Sequence, residues 1–267
     1  MSGESFRLPD DRLIEVEPYR VLSGIYDQVM SHVDYSAWTD FVLDVLADHG
    51  LPSEFGEPPP TLLEAACGTG STAIMIALRG YNVDAFDGSP RMIAAAEAKA
   101  KSIPGRPRFK VADFMTRGTG KTYDAILCLY DSVNYISVER SLGDFFKLVR
   151  DQMRPGGLFL FDVCTEYNSL RHFAGVEQVE YLKGASYQRV MSYDPRAGIQ
   201  RNRFFIRLDK SPGDVYVEQH IQKIYSLETV RRQIARAGMD IAEETDNLIR
   251  KPPHAESTRV HFLCKRK

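Results

Sequence analysis

No stretch of this chain stays apolar for the roughly 18 residues that a membrane-spanning helix requires, so a membrane protein is not expected. Neither sign of charge is in excess. The 34 Lys and Arg against 36 Asp and Glu leave a net charge of -2, which supplies no general attraction to nucleic acid or to an anionic bilayer. The four cysteines (Cys67, Cys128, Cys164, Cys264) are far apart, without a C-x-x-C pair, in apolar strand-like contexts. They read as buried, reduced thiols of a cytosolic protein. Six histidines are scattered, none at ligand spacing from a cysteine, so no metal site is expected. There is no phosphate loop ending in Gly-Lys-Ser/Thr and no nucleophile elbow, and no internal repeat. The polar first residues lack the apolar segment of a signal peptide, and a cytoplasmic location is expected.

What remains is an ordinary globular composition, 43% hydrophobic and 26% charged over 267 residues, enough for one domain with an insertion. Residues 1–60 read as a helical cap and linker. A polar lead-in gives way to helical patterning over 19–46 in two pieces, with Ser36 placed to cap the second, and a Pro/Gly-rich stretch closes the segment. Residues 61–165 read as the core. Strands over 81–86, 107–111, 123–129 and 158–163 follow an apolar first strand from Thr61, with helices over 73–79, 91–102 and 138–153 between them. Arg154-Pro155-Gly156-Gly157 reads as a turn. Such alternation argues a parallel sheet with right-handed crossovers. Residues 166–225 alternate at period two over 177–194, 199–208 and 214–225, as an antiparallel insertion would. Residues 226–267 add a helix and a final antiparallel pair that completes the sheet. The expected fold class is α/β: a doubly wound, seven-stranded, mostly parallel sheet with an N-terminal helical cap and a small antiparallel β insertion.

The organising stretch runs from Thr61 to Thr72, Thr-Leu-Leu-Glu-Ala-Ala-Cys-Gly-Thr-Gly-Ser-Thr. An apolar strand that stops at Gly-x-Gly and turns into a helix leaves free backbone N–H groups at the helix start, and the missing side chains let a ligand approach them. This is the nucleotide-cofactor turn of a doubly wound sheet. The glycines leave the cofactor open. Gly68-x-Gly70-x-x-Ala73 satisfies the dinucleotide fingerprint, with the acid Asp87 at a suitable distance.

The longer run Glu64-Ala-Ala-Cys-Gly-Thr-Gly resembles the first motif of the class I S-adenosylmethionine-dependent methyltransferases, with Ala66 in place of that motif's first glycine. Tyr123-Asp-Ala-Ile-Leu-Cys-Leu-Tyr-Asp-Ser-Val-Asn-Tyr135 and Met153-Arg-Pro-Gly-Gly-Leu-Phe-Leu-Phe-Asp-Val163 resemble two later motifs, in the family's order. The cap aromatics and Glu218-Gln-His220 resemble a bacterial small-molecule branch with a β insertion over the site. The resemblance implies a Rossmann-like methyltransferase fold and S-adenosylmethionine as cofactor. It implies cofactor contacts from Glu64, Ala66, Cys67, Gly68 and Gly70; from Asp87, Gly88 and Met92; from Asp113 and Phe114; and from Leu129, Tyr130 and Asn134. Asp87 suits a ribose diol, Asp113 the adenine amino group, and Glu64 the ammonium.

Methyl transfer is an in-line displacement at carbon. It asks for alignment and exclusion of water, and for a base when the acceptor is a hydroxyl. His220 is the best base by type, sharing a strand face with Glu218. Asp131 lies past a buried strand end, where functional groups of such sheets collect, and Tyr26 is a candidate on the cap. Each also has a plain structural reading: a strand histidine, a turn aspartate, a core aromatic. Arg201, Arg203 and Arg207 share one strand face, either a solvated outer face or a site for an anionic substrate group. The expected partner is a small-molecule methyl acceptor, and the chain a monomer or homodimer. An NAD(P)-dependent oxidoreductase, a non-catalytic cofactor-binding regulator and an RNA or protein methyltransferase are the competing readings; the near-neutral charge speaks against RNA.

Overall fold

The computed structural model describes residue 6 and residues 11–52, 58–113 and 120–266. Phe114 therefore lies outside the described residues. Part of the stretch expected as a loose lead-in is a short strand, β1 (Arg12–Glu15). The cap is less regular than its periodicity suggests. A 3-10 turn (Leu22–Gly24) and a single helical turn, α1 (Tyr26–Val29), precede the one long helix, α2 (Tyr35–Asp48). Asp34, not Ser36, caps α2, its Oδ1 accepting the Ala37 N–H at 2.9 Å. The acid stands just outside the first turn, where its oxygen reaches the third helical N–H.

From β2 (Thr61–Ala65) the chain alternates through α3 (Ser71–Leu78), β3 (Asn82–Asp87), α4 (Pro90–Ala100), β4 (Arg108–Val111), β5 (Tyr123–Cys128), α5 (Glu139–Gln152) and β6 (Met153–Cys164). Ser89 caps α4, its Oγ accepting the Met92 N–H at 3.3 Å. β6 starts earlier than its apolar run. Tyr123 pairs with Met153 and Ala125 with Leu158, so residues 154–157 bulge from a ladder that continues on both sides. Next come α6 (Glu166–His172), β7 (Glu177–Leu182), β8 (Ala185–Asp194), β9 (Ile199–Leu208), β10 (Asp214–Lys223), α7 (Leu227–Arg236), β11 (Met239–Asp246) and β12 (Arg259–Arg266). The run 177–194 is a hairpin rather than one strand, turning at Lys183-Gly184 with Gly184 at φ +81°.

Seven strands form one sheet in the order β11-β12-β6-β5-β2-β3-β4, parallel except where β12 joins β6 and β11. It is the mostly parallel seven-stranded sheet of the expected fold class. Strand order reverses between β2 and β5, which opens a crevice at their carboxyl ends. One face packs Phe145, Phe146, Val230 and Ile234 from α5 and α7. The other packs Val42, Leu46, Ile76 and Ile93 from α2, α3 and α4. Strands covered on both faces need continuous apolar runs, and Ala125 to Cys128 are at most 1% exposed.

The second sheet has the order β1-β10-β9-β8-β7. Its inner face sets Tyr187, Phe204 and Ile206 against Leu22, Ile25 and Val29 of the cap. On the outer face Arg203 pairs with Glu15 at 2.5 Å and Arg207 with Asp11 at 2.7 Å. Two of the three arginines of that row are thus held by acids of the N-terminal segment, away from the face that bears Phe204.

Gly70 sits at φ +73°, and a Cβ there would meet the Phe109 ring at 2.8 Å and Ala96 at 3.0 Å. At Gly68, φ +54°, a Cβ would meet nothing within 4 Å. Gly70→Ala should therefore lower stability by roughly 2–4 kcal/mol, through strain plus overpacking. Gly68→Ala should cost only the strain, roughly 1–2 kcal/mol. Urea denaturation of both variants measures the difference.

Candidate active site

A cleft of about 790 Å³ opens where the carboxyl ends of β2, β3, β4 and β5 face the inner side of the second sheet and the underside of the cap. That volume lies in the upper part of the range for small-molecule sites, roughly 300–1,000 Å³.

The lower wall is the glycine turn. Glu64, Ala66, Cys67 and Gly68 line it, with Asp87, Gly88 and Met92 from the β3–α4 turn and Asp113 beyond β4. Ala66 takes the left-handed conformation, φ +56°, which a residue with a Cβ adopts at a cost of about 1–2 kcal/mol. Asp87 pins the turn. Its Oδ2 accepts the Gly68 N–H at 2.9 Å and its Oδ1 the Ser89 N–H at 2.8 Å. Two N–H partners leave a carboxylate with free lone pairs. Burial raises the Asp87 pKa, against the pull of those two N–H groups. Burial also pushes Glu64 up to about 8, the Ala73 N–H opposing, and Glu64 Oε2 has no hydrogen-bond partner. Gly70 does not line the cleft. Its missing side chain makes room for the Phe109 ring and Ala96. A latch that sequence reasoning missed ties the cap to this turn. Asp27 accepts from Thr69 Oγ1 at 2.6 Å and pairs with Lys99 of α4 at 2.7 Å.

The exit of β5 is strained. Tyr130 and Asp131 stand successively at φ +60° and +48°. Asp162 Oδ2 on β6 accepts the Asp131 N–H at 2.7 Å. Arg259 bridges, donating to Asp131 Oδ1 at 2.7 Å and to Asp162 Oδ2. Asp162 is fully buried, and burial raises its pKa although Arg259 pulls the other way. Burial alone would lower Arg259, but Asp162 and Asp131 lift it well above the ordinary arginine value. Asp131 also accepts from Gln222 of β10. It faces the cleft with its carboxylate engaged by Arg259 and Gln222, which favours its structural reading. Tyr130 stacks on Trp38 with centroids 4.1 Å apart. Asn134 is fully buried, its Nδ2 donating to Lys223 O at 2.7 Å and its Oδ1 accepting from Cys164 N at 3.0 Å. With both amide ends engaged its side chain braces the two sheets. Leu129 does not line the cleft either, packing instead in the core with Ala125 and Leu127.

The upper wall brings His220 together with two tyrosines. The Tyr19 hydroxyl lies 2.7 Å from the Tyr135 hydroxyl, which lies 3.1 Å from His220 Nδ1. Glu218 Oε2 is 3.4 Å from His220 Nε2, close enough for charge to act but without a hydrogen bond. Glu218 is fully buried and takes the backbone N–H groups of Tyr19, Val21 and Leu22 at 2.6, 2.5 and 2.9 Å. Burial raises the pKa of Tyr19, Tyr26 and Tyr135, so all three stay neutral at ordinary pH. Tyr26 lines the cleft, edge-on to Tyr19 at 6.1 Å. In sequence Tyr19 was indistinguishable from a core aromatic, and Arg259 and Asp162 gave no local signal. Arg189 did give one, a charge in the inward register of Ala185, Tyr187 and Met191.

Residues 62–157 match the methyltransferase domain family. Across 252 residues the chain is 26% identical to YqeM of Bacillus subtilis (strain 168), a chain provisionally named a methyltransferase, covering 93% of this chain and 97% of that one. A glycine/sarcosine N-methyltransferase of Parasynechococcus marenigrum is 30% identical over 154 residues, 55% of this chain and 49% of its own. In fold, an S-adenosylmethionine-dependent methyltransferase from Clostridium acetobutylicum superposes with TM-score 0.80 at 23% identity, over 93% of this chain and 98% of that one. The sugar N-methyltransferase KedS8 of a Streptoalloteichus species does so with TM-score 0.72 at 20% identity, over 100% and 99%. The chain is a class I S-adenosylmethionine-dependent methyltransferase. The oxidoreductase reading finds no support in these comparisons.

The methyltransferase's lower wall fits that cofactor on its own chemistry. The unpartnered, buried Glu64 oxygen suits an ammonium, the Asp87 carboxylate suits a diol, and a side chain at Gly68 or Gly88 would project into open space.

Two outcomes follow for the methyltransferase without ligand. Glu64 is protonated in the folded chain up to about pH 8 but ionises near pH 4.3 when unfolded. Its contribution to stability therefore falls as pH rises through that window. Glu64→Gln should match wild type near pH 4 and become the more stable protein by pH 8, by on the order of a few kcal/mol, in urea titrations across that range. Arg259→Met should cost roughly 3–5 kcal/mol by stranding Asp162, and adding Asp162→Asn should recover much of the loss in the same measurement.

Proposed function

We propose that this methyltransferase moves the methyl group to a nitrogen or oxygen atom of a small molecule held against the inner face of the second sheet. The hydrogen-bonded row Tyr19–Tyr135–His220 in the cleft wall carries the reading. In this assignment the backbone N–H groups around Ala66, Cys67 and Gly68 receive the cofactor's carboxylate, Glu64 its ammonium, Asp87 the ribose and Asp113 the adenine, with Met92 and Gly88 beside them. When bound, S-adenosylmethionine supplies an electrophilic methyl carbon on a positively charged sulfur. The chain's task is to orient the acceptor and remove its proton. Tyr19 and Tyr135 stay protonated and accept a hydrogen bond from the acceptor or pass its proton along. His220 Nδ1 takes the proton, and Glu218 stabilises the imidazolium that results. The Tyr130–Trp38 stack and Tyr26 form apolar walls that keep water out. The small-molecule acceptors named for the glycine/sarcosine and sugar N-methyltransferases support this class of substrate.

The test is methyl transfer from radiolabelled S-adenosylmethionine across a panel of small amines and alcohols, with cofactor affinity measured separately by calorimetry. His220→Ala and Tyr135→Phe should leave S-adenosylhomocysteine affinity within about twofold, with kcat falling roughly 10²–10⁴-fold for His220→Ala and less for Tyr135→Phe. Asp87→Ala should weaken cofactor binding by roughly 1–3 kcal/mol. Cofactor binding without turnover on any acceptor would favour a non-catalytic regulator, and unchanged kcat in His220→Ala would make that residue structural.

A further inference from the structure

The cleft contains a guanidinium that the reaction above does not use. Arg189 of β8 lines it. Its fork donates to a neutral acceptor, Asn202 Oδ1, from Nε at 3.2 Å and Nη2 at 2.8 Å. Its Cζ lies 5.4 Å from the centre of the Phe173 ring and 5.2 Å from that of Phe204. Among the described residues no carboxylate stands at ion-pair distance from it. The other arginine of the cleft, Arg259, is neutralised by Asp131 and Asp162. Burial lowers the Arg189 pKa, but arginine keeps its proton in proteins. A half-buried cation between two rings with only an amide for company retains unused donors and an unmatched charge.

We propose that the methyl acceptor carries a carboxylate and that Arg189 is the residue that receives it. The proposal rests on the assignment of the second sheet's inner face as the acceptor wall. A guanidinium fork matches a planar carboxylate with two parallel hydrogen bonds. The surroundings select for a single negative charge. Asp131 and Glu180 line the same cleft, and their repulsion disfavours a dianion such as phosphate. Asn202 fixes the plane of the fork, and Phe173 and Phe204 fix its height. His220 lies against the same Phe204 ring, with centroids 5.5 Å apart. The carboxylate and the atom to be methylated therefore belong to one small molecule, as in an amino acid or a hydroxy acid, rather than to the distant ends of a long one. An uncharged or cationic amino sugar would leave Arg189 unmatched.

Calorimetry on the full chain saturated with S-adenosylhomocysteine tests this, using sodium acetate, its neutral isostere acetamide, and inorganic phosphate as probes. Acetate should bind saturably, at least tenfold tighter than acetamide and tighter than phosphate. Arg189→Met should weaken acetate at least tenfold while S-adenosylhomocysteine affinity stays within twofold. Asn202→Asp places a carboxylate against the fork with almost no change of shape and should abolish acetate binding equally. It decides the matter should Arg189→Met not fold. Acetate no tighter than acetamide, or acetate binding unaffected in Asn202→Asp, overturns the proposal, and phosphate binding tighter than acetate overturns the carboxylate assignment. S-adenosylhomocysteine binding that survives any of these results leaves the proposed reaction standing. Acetate captured by Arg189 in a chain that binds no S-adenosylhomocysteine would remove that reaction and keep the anion site.

Discussion

One guanidinium, Arg259, holds the ends of three strands together. It begins β12, donates to Asp162 of β6 and to Asp131 just past β5, and lies 5.4 Å from the Trp38 ring and 5.7 Å from the Tyr130 ring. Two successive non-glycine residues in the left-handed region cost of order 1–3 kcal/mol each, and such a kink persists only where its surroundings dictate it. Here the buried Asp162 takes the Asp131 N–H while Arg259 sets its charge against both acids. The kink turns the Tyr130 ring onto Trp38 and the Asp131 carboxylate toward Gln222. Sheet, cap and insertion meet at this cluster.

A second buried carboxylate does comparable work at the other wall. Glu218 collects three consecutive-segment N–H groups from Tyr19, Val21 and Leu22, which no secondary structure would otherwise satisfy. Those bonds dock the cap onto β10 and hold Tyr19 at φ +62°, so its hydroxyl meets Tyr135. The Glu-x-His spacing thus serves two ends on one strand face: the acid fixes the chain that covers the cleft, and the histidine faces into it.

The core was legible because strands covered on both faces and helices covered on one leave unambiguous patterns from Leu62 to Val163. The glycine turn was legible for the same reason, since a ligand-facing turn needs small residues at set positions, whereas the hydrogen bonds by which Asp87 pins it were not. The second sheet was legible in outline, and its Lys183-Gly184 turn was hidden inside a run of unbroken alternation. What sequence could not show were pairings across long separations. Arg259 with Asp162, Glu218 with the Tyr19 N–H and Asn134 between Lys223 and Cys164 depend on how layers stack, which no local period encodes. The same limit holds for Asn134 and Leu129 at the fourth strand end, where the bracing of one side chain and the packing of the other depend on partners far away in the chain.

The two walls divide the chemistry between separate parts of the chain. The lower wall is built from the β2, β3 and β4 ends and carries three carboxyl groups, Glu64, Asp87 and Asp113. The opposite wall, from β8, β9 and β10, carries Arg189 and His220 among aromatic rings. On the proposed assignment, the carboxyl groups of one wall meet the cofactor and the guanidinium of the other meets the acceptor, so the two ligands are told apart by charge as well as by shape. The second wall contributes nothing to the glycine turn, so substitutions along β7–β10 can reshape the cleft while that turn stays as it is. Hydrogen bonds from Gln222 to Asp131, Asn134 to Lys223 and Tyr135 to His220 tie them together. Mutual placement of methyl donor and acceptor thus hangs on the Arg259 cluster that orients Asp131, so a disturbance there reaches alignment, on which in-line transfer depends, as directly as it reaches stability.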